Sequence, residues 1–291
     1  MIMDVLPNTK YRYIETHRIA GSLGAVVSGV NLAEPLAPEV LAEIRSALLE
    51  HLVIFFRNQD MTPDRLLRFA RYWGEIHRHP YIAGMPDHPE VLELAKRPGD
   101  KRNFGGDWHT DQMFAPKPAM GTMLWAKNVP EAGGDTLFSN QYLAYETLSD
   151  GMKQLIAGIR GMCVGDRKKN GQTRAANNAA TISVTTLEPP PEMPRVSPHP
   201  LVRTHPETGR KSLYIGGHVH YLENMTEEES APLIKYLYNH SQRPEFTCRF
   251  RWEQGSLAFW DNRCTMHFAI NDYPPDTRVM HRVTICGDEP F

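Results

Sequence analysis

This sequence predicts a mainly β fold with flanking helices, an all-β core of the jelly-roll kind. Two observations carry that reading: amphipathic helix patterns early in the chain, and many short strand patterns later on. A third is the lack of any internal repeat. With 291 residues the chain is long enough for one large domain or two small ones and can bury a substantial core; it is taken as a single domain over residues 1–291.

Taken in order, residues 14–30 alternate loosely around Gly21, Gly24 and Gly29, the pattern of short strands and turns. Val40, Leu41, Ile44, Leu48 and Leu49 recur at helical spacing and predict a helix over 38–51. Leu52 to Phe56 is a short apolar run, read as a buried strand. Thr62 and Pro63 supply the N-cap and first-turn proline of a second helix. Its buried stripe is Leu66, Phe69 and Trp73, and Gly74 closes it. Asp107 to Asp111 and Met120 to Trp125 read as strands. Glu131 to Gly134 reads as a turn, and Asp135 to Phe138 as the strand leaving it. Residues 142–160 read as helix. Residues 165–200 are polar, then proline-rich, a long excursion that is either a lid near the active site or a solvated insertion. Leu213 to Ile215 is strand-like. Thr226 and Glu229 resemble a capping box, but Pro232 argues for a helix start nearer Ser230. Phe246, Cys248, Phe250 and Trp252 alternate with polar residues, and two strands follow at Leu257 to Trp260 and Arg278 to Cys286.

Composition narrows the function. A net charge of −2 without a long basic run argues against nucleic acid as a partner. No apolar run reaches the roughly 18 residues of a membrane span. Met1 to Tyr13 lack the apolar core of a secretory signal. Cys163, Cys248, Cys264 and Cys286 lie far apart and read as reduced core residues of a cytoplasmic protein.

The chemistry concentrates at Asp107-Trp108-His109-Thr110-Asp111. As a strand, this stretch puts His109 and Asp111 on one face. The motif alone is weak, because the chain's 13 His and 34 acidic residues give one or two His-x-acid triplets by chance. The other two, at His88 and His205, carry a central proline and read as loops. His267, after Trp260-Asp261-Asn262-Arg263, is the candidate third ligand. Two histidines and one carboxylate on one side of a metal leave open positions, the arrangement of non-haem Fe(II) oxygenases.

The last strand adds an anion-binding pattern. Val279, His281, Val283 and Ile285 share one face; Arg278, Met280, Arg282 and Thr284 share the other. The two guanidinium groups are four residues apart, about 13 Å between Cα atoms at roughly 3.3 Å per residue. Facing solvent, they would form surface ion pairs. Facing inward, they would need two anions, such as a dicarboxylate co-substrate and an acidic substrate.

Five ordered motifs then become recognisable: Trp108 to Asp111, Gly133 to Leu137, Val202 to Pro206, Trp260 to Arg263 with His267, and Arg278 to Arg282. From about residue 14 to Phe291 the chain resembles the taurine dioxygenase/2,4-dichlorophenoxyacetate dioxygenase family of Fe(II)- and 2-oxoglutarate-dependent oxygenases. The resemblance implies a double-stranded β-helix, the cupin-like jelly roll. It implies Fe(II), 2-oxoglutarate and O2 as cofactor and co-substrates, with His109, Asp111 and His267 as catalytic iron ligands. Thr136 and Arg278 would hold the distal carboxylate of 2-oxoglutarate, and Arg282 with His79 the acidic group of a small organic substrate. Tyr81, Phe104, Gln112, Phe114 and His218 are further substrate-side candidates. Related halogenases lack the carboxylate ligand, so Asp111 implies hydroxylation, with release of succinate and CO2. Lys101 to Gly106 departs from the taurine enzymes, whereas Phe246 to Arg249 and Cys264 to His267 are closer to the aryloxyalkanoate ones. The implied substrates are sulfonates, sulfate esters or aryloxyalkanoates, oxidised beside the heteroatom. The expected assembly is a homodimer or homotetramer.

Alternatives stay open at this point. The same chemistry could serve another carboxylic or amino acid metabolite. A metal- or ligand-binding barrel without turnover is a second reading. A zinc hydrolase is a third, disfavoured because it would not require the Thr136/Arg278 anion clamp.

Overall fold

A computed structural model describes residues 10–165 and 185–291. Sixteen strands and five α-helices lie among the described residues. In chain order they are β1 (Glu15–Arg18), β2 (Ala25–Ser28), α1 (Pro38–His51), β3 (Val53–Phe56), α2 (Pro63–Arg71), β4 (Ile76–His77), β5 (Leu92–Lys96), β6 (Gly121–Asn128) and β7 (Thr136–Asn140). Then come α3 (Gln141–Glu146), α4 (Asp150–Ile156), β8 (Arg160–Val164), β9 (Val196–Pro200), β10 (Val202–Thr204), β11 (Lys211–Leu213) and β12 (Val219–Leu222). The chain ends with α5 (Glu227–His240), β13 (Thr247–Phe250), β14 (Leu257–Asp261), β15 (Thr265–Ala269) and β16 (Arg278–Ile285). No helix among the described residues is long and apolar enough to cross a membrane.

The larger sheet runs β1-β2-β3-β14-β6-β16-β4, with β5 also paired to β16; β13-β7-β15 form a smaller sheet. The two sheets face each other through aromatic rings. Phe55 on β3 stacks on Phe250 of β13 with centroids 3.9 Å apart, and Phe138 on β7 meets Trp260 of β14 at 5.5 Å. This is the jelly-roll sandwich that the alternating strands imply. Helices α1 and α2 cover the outer face of the large sheet, burying Ile44, Leu48, Leu66 and Phe69 against Phe56, Met123 and Phe259. Helices α3, α4 and α5 close a third apolar cluster with β8, β11 and β12.

Helix α1 has the bounds its periodicity implies. Thr62 caps α2 by accepting a hydrogen bond from the Arg65 amide at 3.3 Å. Four expectations change. Residues 142–160 form two helices, not one. Ser149 caps the second by accepting from the Met152 amide, and Thr147 turns its hydroxyl back onto the Leu143 carbonyl at the end of the first. Helix α5 starts at Glu227 and keeps Pro232 inside it. Both halves of the Thr226/Glu229 capping box form. Pro232, the sixth helical residue, leaves the Glu228 carbonyl without its intrahelical N–H donor. Residues 196–200, expected in the excursion, are strand β9, paired among the described residues only to β8. Pro198 and Pro200 are tolerated because β9 is an edge strand. The lid expectation itself falls mostly on residues 166–184, outside the described residues. Finally, all four cysteines are free, but Cys286 is exposed rather than core.

A buried ion network pins the β14–β15 turn. Asp261 accepts from Arg263 Nε at 2.9 Å and Nη2 at 2.7 Å, and from His205 Nε2 at 3.0 Å. Glu207 takes the remaining side of Arg263 at 2.8 Å. Burial alone would raise the Asp261 pKa, but the Arg263 charge and the hydrogen bonds from Arg263 and His205 outweigh it and hold the carboxyl well below its usual range. A depressed folded-state pKa contributes stability that is complete above the unfolded value and lost as pH falls toward the folded one. Stability from this group is therefore constant above about pH 4 and declines below it. Asp261→Asn leaves Arg263 buried beside a neutral group. It should lower unfolding stability by about 3–5 kcal/mol in urea melts at pH 7, and it should flatten the acid limb of the stability curve. An unchanged urea midpoint would contradict the network's role.

Candidate metal centre and co-substrate pocket

His109, Asp111 and His267 converge at the open end of the sandwich, each offering a ligand atom within 4.8 Å of the others. His109 Nε2 and His267 Nε2 stand 3.6 and 3.7 Å from Asp111 Oδ1. Asp107 to Asp111 is not a strand, as periodicity implied, but carries a single bridge. His109 and His267 exchange backbone hydrogen bonds of 3.1 and 2.9 Å. The local chain is bent on both sides, by Gly105 at φ 82° and Gln112 at φ 53°. A Cβ at position 105 would lie 3.0 Å from His109 Cε1, so glycine there leaves room for the imidazole. Thr110 ties this segment to Thr265 O at 3.0 Å.

The three donors are in metal-binding form. Burial first, then the neighbouring His109, pushes His267 well below the usual histidine range, leaving a neutral ring. Asp111 is buried, which alone would raise its pKa. The Arg282 charge, the largest opposing cause, and the contacts with the two histidines outweigh this and keep it ionised. Its Oδ2 accepts from Thr122 Oγ1 at 2.7 Å. Asn262 in turn donates to Thr122 at 2.9 Å and accepts from Trp260 Nε1 at 3.0 Å. His109 Nδ1 lies 2.6 Å from the Asp107 carbonyl, which can only accept. The proton therefore sits on Nδ1 and the Nε2 lone pair is free for a metal.

A second group, His205, Asp261 and Cys264, is equally close-set but has the opposite tautomer. His205 Nδ1 accepts from the amides of Glu207 and Thr208, both at 3.2 Å. Its Nε2 must then donate to Asp261, so no lone pair faces a metal. Burial also pushes the Cys264 thiol well up. The first group fits a divalent ion and the second does not.

Beside the triad runs a cavity lined by Thr136, Arg278, Arg282, Lys96, Phe104 and Tyr273 among others. Arg278 and Arg282 are 7% and 4% exposed, so the last strand's basic face points inward. Arg278 Nε and Nη2 have no hydrogen-bond partner among the described residues. Thr136 accepts from Trp252 Nε1 at 3.0 Å, which orients its hydroxyl. Gly134, at φ 70°, lets the chain pass Arg278, whose Cδ would lie 3.3 Å from a Cβ there. Arg282 Nη2 stands 2.9 Å from Asp111 Oδ1, close enough for an ion pair but off the angle of a directed hydrogen bond. These unmet donors fit the carboxylates of a keto diacid.

The substrate-side candidates divide. Phe104 lines the cavity, with the Arg282 guanidinium 5.9 Å from its ring centre. His79, Tyr81, Phe114 and His218 continue from it as a row of ring contacts 5.1–6.4 Å apart and do not themselves line this cavity. Gln112 is buried, and its side-chain amide has no hydrogen-bond partner among the described residues. Lys96, Asn103, Tyr273, Leu94 and Leu124 line the cavity without having been singled out. Strand β5 carries two of them and has a weak sequence signal. Trp252 belongs to an alternating strand pattern in the sequence, and its bond to Thr136 has no local signature.

The family model described as "Taurine catabolism dioxygenase TauD, TfdA family" matches residues 15–284. An alkylsulfatase of Acinetobacter baylyi is 32% identical over 94% of this chain and 86% of its own length. An alpha-ketoglutarate-dependent sulfate ester dioxygenase of Pseudomonas putida is 30% identical over 95% of this chain and 91% of its own. The crystal structure of a taurine dioxygenase from Burkholderia xenovorans superposes with a TM-score of 0.80 at 35% identity, covering 96% of this chain and 91% of that one. The chain belongs to the TauD, TfdA family and is an Fe(II)- and 2-oxoglutarate-dependent dioxygenase.

Proposed function

We propose that this dioxygenase hydroxylates a small organic anion at the carbon beside its heteroatom, with alkyl sulfate esters and amine-free sulfonates preferred and aryloxyalkanoates the next class. The observation that carries this reading is one cavity lined by both histidines of the His-Asp-His group, two buried arginines and apolar walls. His109, Asp111 and His267 would hold Fe(II). Thr136 and Arg278 would bind the distal carboxylate of 2-oxoglutarate, and Arg282 the substrate's anionic group. With 2-oxoglutarate and O2, the bound iron supplies the oxidation that yields succinate, CO2 and a hydroxylated carbon.

The protein's own part is placement. Thr122 and Asn262 fix the Asp111 carboxylate, and the Asp107 carbonyl fixes His109. Leu94, Leu124, Phe104 and Ala269 give the cavity an apolar lining suited to an alkyl or aryl body. Among the described lining residues there is no carboxylate to meet an ammonium group, which disfavours taurine itself. A substrate hydroxylated at a carbon bearing sulfate or sulfonate would collapse to release that group. The similarity to an alkylsulfatase and a sulfate ester dioxygenase supports the same substrate class. A cytoplasmic homodimer or homotetramer completes the proposal, supported by the free cysteines and the family resemblance.

Anaerobic protein given Fe(II) and 2-oxoglutarate should develop a visible iron-to-keto-acid charge-transfer band. An Asp111→Ala/His267→Ala double variant should lack it, and a band of equal strength there would sink the ligand assignment. Arg278→Ala should mainly raise the apparent constant for 2-oxoglutarate, and Arg282→Ala mainly that for substrate. A lost charge-assisted contact of about 1.5–3 kcal/mol corresponds to more than tenfold in each case. Equal effects of either variant on both constants would contradict the division of roles. A succinate-release screen should rank alkyl sulfates and alkylsulfonates above taurine; the reverse order would overturn the substrate reading.

A further inference from the structure

Lys96 is a buried lysine on β5, 7% exposed, that lines the same cavity. In the β5–β16 ladder its direct cross-strand partner is Arg278. Directly opposed residues of an antiparallel pair hold their Cβ atoms about 4.5–5.5 Å apart on one face. Two like charges so placed repel, and burial strengthens the repulsion. Lys96 has no carboxylate partner among the described residues. Its Nζ instead lies 4.6 Å from the centre of the Tyr273 ring. Tyr273 is itself fixed by donating its hydroxyl to Asn103 Oδ1 at 2.7 Å. Two Arg278 nitrogens also lack a hydrogen-bond partner among the described residues. Burying two opposed cations with open donors carries a cost that an anion between them would relieve.

We propose that Lys96 and Arg278 form a two-cation clamp for the distal carboxylate of 2-oxoglutarate, making Lys96 a determinant of co-substrate affinity. The inference rests on the assignment of Thr136 and Arg278 to that carboxylate. The neighbourhood locates the clamp at the co-substrate end, because Tyr273 and Arg278 both pack against Gly134, two residues before Thr136. Arg282, by contrast, faces Asp111 of the His-Asp-His group. Clamp and metal would then grip opposite ends of one keto diacid, with the Tyr273 face holding Lys96 in place until it arrives.

The test titrates 2-oxoglutarate and 2-oxovalerate, which shares the keto-acid end but lacks the distal carboxylate, into anaerobic Fe(II) protein. The charge-transfer band gives both dissociation constants. Lys96→Met should weaken 2-oxoglutarate about tenfold or more and leave 2-oxovalerate within about twofold, while Lys96→Arg should keep most of the 2-oxoglutarate affinity. Without co-substrate, the melting temperature of Lys96→Met should equal or exceed that of the original protein, since a repulsion is removed. Equal weakening of both keto acids, or an unchanged 2-oxoglutarate constant, would overturn the clamp. So would a variant that raises only the constant for the organic substrate. Failure of the unaltered protein to bind 2-oxoglutarate at all would refute the Thr136/Arg278 assignment instead.

Discussion

The backbone bridge between His109 and His267 is the contact on which the site depends. It joins a bent loop, with little regular structure of its own, to strand β15 of the smaller sheet. Once that bridge forms, both imidazoles stand over one point and Asp111 follows within two residues. The larger sheet then supplies everything cationic, because β16 turns Arg278 and Arg282 inward from the opposite wall. The site is thus a product of sandwich closure. Neither sheet contains it alone, and the Phe55–Phe250 and Phe138–Trp260 contacts that close the sandwich also set the gap it occupies.

Much of this was legible in the sequence where periodicity or capping chemistry is local. Helix α1, the Thr62 cap and the two faces of β16 follow from spacing alone. The ligand set was legible only through distant context, because one His-x-acid triplet is close to chance. What was hidden was tertiary. Strand β5, Leu-Glu-Leu-Ala-Lys, has no β-branched or aromatic residue, and its pairing with β16 creates it. The break between α3 and α4 hinges on two hydroxyls choosing backbone partners over helix continuation. Pro232 pointed in the other direction, yet the capping box at Thr226 sets the helix start and the proline lies inside the helix.

The two histidine–carboxylate groups show how little ligand proximity says by itself. Both are buried and both bring a histidine close to an aspartate. What separates them is which ring nitrogen meets an acceptor. At His109 a carbonyl takes the Nδ1 proton and frees Nε2; at His205 two amides occupy the Nδ1 lone pair and commit Nε2 to Asp261. One group is poised for a cation. The other already contains its cation, the Arg263 guanidinium.

The acceptor that orients His109 is a main-chain oxygen rather than a side chain. No substitution at position 107 can delete that oxygen. The orientation of this ligand is therefore written into the path of the chain, and the side chain at 107 stays free to vary during evolution or engineering. Conformational change in the loop, by contrast, would move the carbonyl and release the ring at once. Sensitivity at this ligand lies in the backbone angles of residues 105–112, and a survey of single replacements at position 107 would pass over it.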